Sequence, residues 1–192
     1  MRTLVFDTET TGKIDYRMKD VRGQPHMVQL GAILYEDGAT RAELNLIVNP
    51  GVPVPDEAAA IHGITSAIAE RYGVRPSVAI AMFNNLLRVA DRVSGHNLDF
   101  DLTIVSATLA REGKASGVLS ELPRVCTMHT LTDVCQLPGK YGFKWPTLQE
   151  AHKHFFGKEF EDAHDAMADV RATGRVLAEI DAQGIKTKAG KL

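Results

Sequence analysis

A chain of 192 residues, 44% apolar and 24% charged, is long enough for one domain with a full core and has the balance of an ordinary globular protein. Its formal charge of −2 at pH 7 argues against a broad basic surface for long duplex DNA, but leaves room for a short anionic segment held in a pocket. There is no run of 18 apolar residues for a membrane span, and the first residues lack the basic region and apolar core of a signal peptide, so a cytoplasmic location without membrane contact is expected.

The first predicted element is a strand. Leu4-Val5-Phe6 leads into Asp7 and Glu9, with Thr10-Thr11-Gly12 reading as the turn beyond. Residues i and i+2 of a strand share a face, so the two carboxylates present their oxygens side by side. Like charges that close repel, and burial makes this worse unless a cation or a shared proton relieves it. Such an oxygen pair suits a hard divalent cation such as Mg²⁺ or Mn²⁺. The plainer alternative is a strand that runs out into a polar turn.

Lys13 to His26 is polar, carries charges of both signs and reads as an exposed loop. Val28–Tyr35 and Ala42–Val48 are strand-like runs flanking Glu36-Asp37-Gly38, a good hairpin signal. Asp56 to Arg71 is helical in pieces, broken at His62-Gly63 before Thr65 caps a second turn. Taken alone, His62 is a loop residue. Ser77 is the expected cap of a helix with Val78, Met82, Phe83, Leu86 and Leu87 on its inner face. Arg92-Val93-Ser94-Gly95 is a minimal strand, and His96 to Asp101 opens a helix that turns Leu102, Val105 and Leu109 to the core and closes at Glu112-Gly113.

Arg124 to Met128 is predicted as a short strand and Thr130 to Cys135 as a helix, followed by a Pro-Gly loop ending in Lys144-Trp145-Pro146. Lys140, Lys144 and Trp145 read either as contacts to an anionic ligand or, for the tryptophan, as packing. Thr147 and Glu150 form a capping box for a helix to Gly157 that buries Leu148, Ala151 and Phe155, with His152 and His154 expected in solvent. A last helix begins near Asp165 and carries Met167, Val170, Gly174 and Leu177 inward. Cys126 and Cys135 have neither CxxC spacing nor partners at zinc-site spacing and read as reduced structural residues. From Gln183 a short polar tail is expected to fray. Strands first, then alternating strand and helix, then helices indicate an α/β fold with a mixed sheet.

Two further acidic stretches stand beside Asp7 and Glu9. Asp101 lies at the start of a helix. His164 and Asp169, five apart, would sit about 140° apart on a regular helix, so they converge only if His164 is on the loop before it, with Asp165 as the cap that makes the break. Alone, each reads as a solvated residue.

Together, Phe6-Asp7-Thr8-Glu9-Thr10-Thr11-Gly12, Ile61-His62-Gly63-Ile64-Thr65, His96-Asn97-Leu98-Asp99-Phe100-Asp101 and His164-Asp165-Ala166-Met167-Ala168-Asp169 resemble the successive motifs of the DEDDh (DnaQ-like) 3′–5′ exonucleases. That family includes the epsilon proofreading subunit of bacterial DNA polymerase III. The match covers residues 2 to 180 in family order. The resemblance implies an RNase H-like fold, a central mixed five-stranded sheet flanked by helices, with residues 1–182 as the exonuclease domain and 183–192 as the tail. It implies two divalent cations, Mg²⁺ or Mn²⁺, with Asp7, Glu9 and Asp169 as direct ligands, Asp7 bridging. Asp101 would hold the second ion directly or through water, and His164 would be the general base. Thr10, His62, Asn97 and Phe100 would line the pocket for the 3′-terminal nucleotide.

The implied substrate is a single-stranded 3′ end, DNA in preference to RNA; a DNA polymerase as a further partner and a stand-alone enzyme are equally open. The alternatives are an exoribonuclease acting on RNA ends or oligoribonucleotides, and a catalytically silent nucleic-acid-binding module. Activity is expected to require metal and to fall as His164 takes up a proton in mild acid.

Overall fold

The computed structural model describes residues 1–114 and 117–190, with the Val118 side chain left aside. The last two residues of the expected tail therefore lie outside the described residues. Strand β1 (Arg2–Thr10) is followed by a 3-10 turn (Val21–Gly23), β2 (Met27–Glu36) and β3 (Ala39–Ile47). Helices α1 (Asp56–His62), α2 (Ser66–Tyr72) and α3 (Pro76–Leu87) lead to β4 (Arg92–Gly95) and α4 (Leu98–Arg111). The short α5 (Val118–Glu121) precedes β5 (Arg124–Cys126) and α6 (Thr127–Cys135). A small hairpin, β6 (Pro138–Gly139) and β7 (Gly142–Phe143), leads to α7 (Leu148–Phe156) and finally α8 (Ala166–Ala182).

The five-stranded sheet has the order β3-β2-β1-β4-β5. Strands β1, β2 and β3 run antiparallel, while β4 and β5 run parallel to β1, so the sheet is mixed, as expected. Asp37 and Gly38 both have positive φ, 51° and 82°, the backbone that a tight hairpin requires and that Asp-Gly supplies. Alternation along β1 sorts its side chains between two layers. Leu4 and Phe6 join the core beneath α3 and α4, with Ile80, Phe83, Leu102 and Val105. Val5 faces α8 and packs with Ile33, Val125, Met167, Val170 and Leu177. Each fully buried aliphatic on that helix contributes roughly 1.5–3 kcal/mol, which fixes α8 against the strand that carries the carboxylates.

Several expectations are corrected. Helix α3 starts at Pro76, not after Ser77, because a proline at the first helical position loses no needed hydrogen bond. Its inner face is Ala79, Ile80, Phe83 and Leu87, while Val78 and Met82 are exposed. Strand β5 ends at Cys126, and Thr127 and Met128 already belong to α6. His152 is buried, its Nδ1 2.8 Å from the Lys158 carbonyl and its ring against Phe156 and Phe160. His154 is exposed, as expected.

The loop from Lys13 to His26 is pinned to α4 by Arg111, whose guanidinium donates to the carbonyls of Arg22, Gln24 and Pro25. The tail does not fray at its start. Ile185 packs beside α6, α7 and α8, and the Lys188 carbonyl accepts from the Cys126 amide (2.8 Å) on the outer edge of β5. Both cysteines are free. Among the described residues, no helix is long and apolar enough to cross a membrane.

Candidate active site

Strand β1 outruns β4. Their parallel pairing covers Thr3 to Val5 only, so the far half of β1 has an open edge on that side. Asp7 and Glu9 have the parity of Val5 and face α8; Thr8 has the parity of Phe6 and faces α4. Asp101, in the first turn of α4 and 2% exposed, closes the open edge. Its Oδ1 accepts both the Thr8 amide (2.9 Å) and the Thr8 hydroxyl (2.8 Å). Sequence reasoning found Asp101 but not Thr8, the residue that holds it.

From the other side comes α8. Asp165 is its N-cap, with Oδ1 accepting the amides of Met167 and Ala168 at 3.0 Å each. That cap breaks the chain before the helix, leaving His164 exposed on the loop at φ 71° and Asp169 in the first full turn. Donor atoms of Glu9, His164 and Asp169 lie within 4.8 Å of one another. The convergence that the five-residue spacing required is therefore present.

Two residues missed from the sequence make this approach feasible. Gly31 pairs with Asp7 across the β1–β2 ladder, and a Cβ there would sit 2.8 Å from the backbone of Ala166. Only a residue without a side chain lets the start of α8 come so close. Gln29, opposite Glu9, donates to Asp165 Oδ2 (3.0 Å) and to Asn45 (3.1 Å) and accepts the Ala166 amide (3.2 Å). A glycine and a glutamine inside an otherwise apolar strand, Val28 to Leu34, were the available signals.

The electrostatics are those of a cation site. Burial raises the Asp7 carboxyl well above its ordinary range, and Asp101, Asp169 and Glu9 reinforce the effect. Glu9 is pushed up to about 8 by burial and then by Asp169 and Asp101. Asp101 reaches about 7 through burial, although the hydrogen bonds from Thr8 pull it down. Asp169 reaches about 6 through burial, with His164 pulling it down. Asp169 Oδ1 is buried and has no hydrogen-bond partner among the described residues. An orphaned carboxylate oxygen among mutually repelling acids, with the His164 imidazole within 4.8 Å of two of them, fits hard divalent ions.

The residues expected to line a nucleotide pocket flank this cluster with different freedom. His62 Nδ1 accepts the Ile64 amide (3.1 Å), so the ring hydrogen sits on Nε2 and is donated to the Thr10 carbonyl (3.2 Å). Burial lowers the His62 pKa, which keeps this neutral arrangement. Both ring nitrogens are thus engaged, and His62 presents ring surface instead of a free donor. The Thr10 hydroxyl donates to the Gly12 carbonyl (2.6 Å). Asn97 stands at φ 67° before α4 without capping it, and Phe100 is half-buried against the main core.

The chain matches the model of a family described as Exonuclease (RNase_T) over residues 4–177. It is 29% identical over 184 residues to the uncharacterized exonuclease CP81 of Escherichia phage 186, covering 93% of this chain and 86% of that protein. It is 35% identical over 192 residues to a DNA polymerase III subunit epsilon-like protein of Rhodobacter capsulatus, covering 96% of this chain and 25% of that one. Among solved structures, E. coli exonuclease I in complex with a dT13 oligonucleotide shares the fold, with a TM-score of 0.76 at 22% identity over 94% of this chain and 41% of that chain. The chain thus spans most of the phage relative but a quarter of the Rhodobacter protein and about two fifths of exonuclease I.

Proposed function

The chain belongs to the DnaQ-like 3′–5′ exonucleases of the RNase H-like superfamily, and on that premise we propose that it shortens single-stranded DNA from the 3′ end, releasing nucleoside 5′-monophosphates. The observation that carries this reading is the meeting of Glu9, His164 and Asp169 within 4.8 Å beside Asp7 and the Thr8-anchored Asp101.

In this reading Asp7, Glu9 and Asp169 would hold two divalent cations, with Asp101 completing the set through its second oxygen or through water. When bound, Mg²⁺ or Mn²⁺ neutralises the charge that develops on the attacking and leaving oxygens of an in-line displacement. His164 takes the proton of the attacking water on a ring nitrogen, and the adjacent Asp169 carboxylate stabilises the imidazolium that results. The water oxygen bonds to the terminal phosphorus as its bond to the neighbouring 3′-oxygen breaks. The exposed loop allows His164 to close on a substrate that Thr10, His62, Asn97 and Phe100 hold at the cleft, Phe100 by stacking on the terminal base.

Matched DNA and RNA oligonucleotides labelled at the 5′ end, incubated with either metal, test the proposal. A ladder shortening from the 3′ end, faster for DNA, is expected. Faster loss of RNA would assign the chain to RNA ends, and an intact label throughout would leave a binding module. The epsilon-like relative supports an extension of the proposal, that the enzyme works beside a DNA polymerase. Its test is faster excision of a mismatched primer end when that polymerase is present.

A further inference from the structure

We propose that the β6–β7 hairpin is a stacking arm for the unpaired bases that follow, on the 5′ side, the two nucleotides joined by the scissile bond. The proposal rests on the exonuclease reading above and adds a second substrate-binding site to it.

Three large aromatic side chains stand in solvent within five residues: Tyr141 at 90%, Phe143 at 50% and Trp145 at 53% exposure. A hairpin of two residues per strand has no independent stability, and these side chains return little burial for the order imposed on them. Its base is nevertheless held firmly. The Lys144 amide donates to the Leu137 carbonyl (2.9 Å), extending the ladder by one step. Trp145 meets His129 edge to face at 5.0 Å between centroids, and the Pro146 carbonyl lies 2.9 Å from His96 Nε2. Next comes the Thr147 capping box of α7.

These anchors place the arm beside the cleft. His129 Nε2 is 3.7 Å from Asp99 Oδ2, and Asp99 shares the first turn of α4 with Phe100 and Asp101. His96 opens the same motif. Lys144 turns away to pair with Glu150. The Lys140 ammonium lies over the Tyr141 ring at 5.1 Å.

Lys144 is paired with Glu150, so Lys140, over the Tyr141 ring, carries the positive charge of the arm, in a protein of net charge −2 whose cleft is acidic. Flat aromatic faces with a lysine among them suit a chain of bases joined by phosphates. Stacking of this kind tolerates any sequence, which suits an enzyme that must pass whatever bases follow the one removed.

The test compares the wild type with a Tyr141→Ala/Phe143→Ala variant and a conservative Tyr141→Phe variant. Equilibrium binding of a fluorescent single-stranded oligonucleotide is measured in chelator, and turnover of that strand and of a dinucleotide in Mg²⁺. The double variant is expected to bind the long strand on the order of tenfold more weakly, with dinucleotide turnover and melting temperature unchanged, and Tyr141→Phe to match the wild type. Unchanged long-strand binding by the double variant, from a wild type that degrades the dinucleotide, would overturn the stacking arm alone and give the hairpin to a protein partner. A wild type that turns over neither substrate would overturn the exonuclease reading and the arm with it.

Discussion

At the scale of single residues, the proposed mechanism has protons and metal ions compete for the same four carboxylates. Glu9 near 8, Asp101 near 7 and Asp169 near 6 all lie above the ordinary carboxyl range of about 4. A raised folded-state pKa means that the folded protein binds protons more tightly than the unfolded chain. The resulting stability is fully present below about pH 4 and is lost as pH rises through 6 to 8. Without metal, the melting temperature is therefore expected to fall between pH 5 and pH 8 from this cluster. Mn²⁺ should raise it more at pH 8 than at pH 5, because at pH 8 the ion displaces fewer protons. A melting series in chelator and in Mn²⁺ measures both; equal metal shifts at the two pH values would contradict the assignment. His164 acts on a different quantity. Replacing it with alanine should lower kcat on the order of 10²–10⁴-fold while leaving Mn²⁺-induced stabilisation largely in place. Loss of metal response alone would make it a ligand instead of a base.

At the scale of elements, the site depends on how closely α8 approaches the sheet. Gly31 is the contact that permits it, since a Cβ would press 2.8 Å into the Ala166 backbone. Gly31→Ala should cost about 1–3 kcal/mol in urea denaturation and reduce activity more than a stability-matched core variant, because the shift displaces His164 and Asp169. The pattern of the chain made much of this architecture legible. Asp37-Gly38 announced the hairpin, Thr147 and Glu150 the start of α7, and Asp165 the start of α8. What escaped was set by tertiary contact. Ser77 carries a capping side chain, but Pro76 already fits the first helical turn. His152 is polar by type, yet Phe156, Phe160 and the Lys158 carbonyl make it a core residue. The β6–β7 ladder is too short to leave a period in the sequence.

At the scale of the whole molecule, a mixed sheet separates two layers and the site straddles its exposed strand end. Asp7 and Glu9 face the α8 layer, which carries Asp169, and Asp101 reaches around from the α4 layer through Thr8. No single element holds more than two of the acids. The five positions proposed to carry the chemistry could be picked out in the sequence because they fall in motifs that resemble those of a known family. Thr8, Gln29 and Gly31, which hold those positions in place, could not, because each acts across the sheet on a residue far away in the chain. The central claim is that this arrangement holds two divalent ions. Anomalous diffraction from crystals grown with Mn²⁺ and a nucleoside 5′-monophosphate tests it most directly. Two anomalous peaks are predicted, both touching Asp7, with Glu9 and Asp169 at one and Asp101 near the other. An intact fold with no peak among these carboxylates, or with Mn²⁺ bound only elsewhere, would contradict the account.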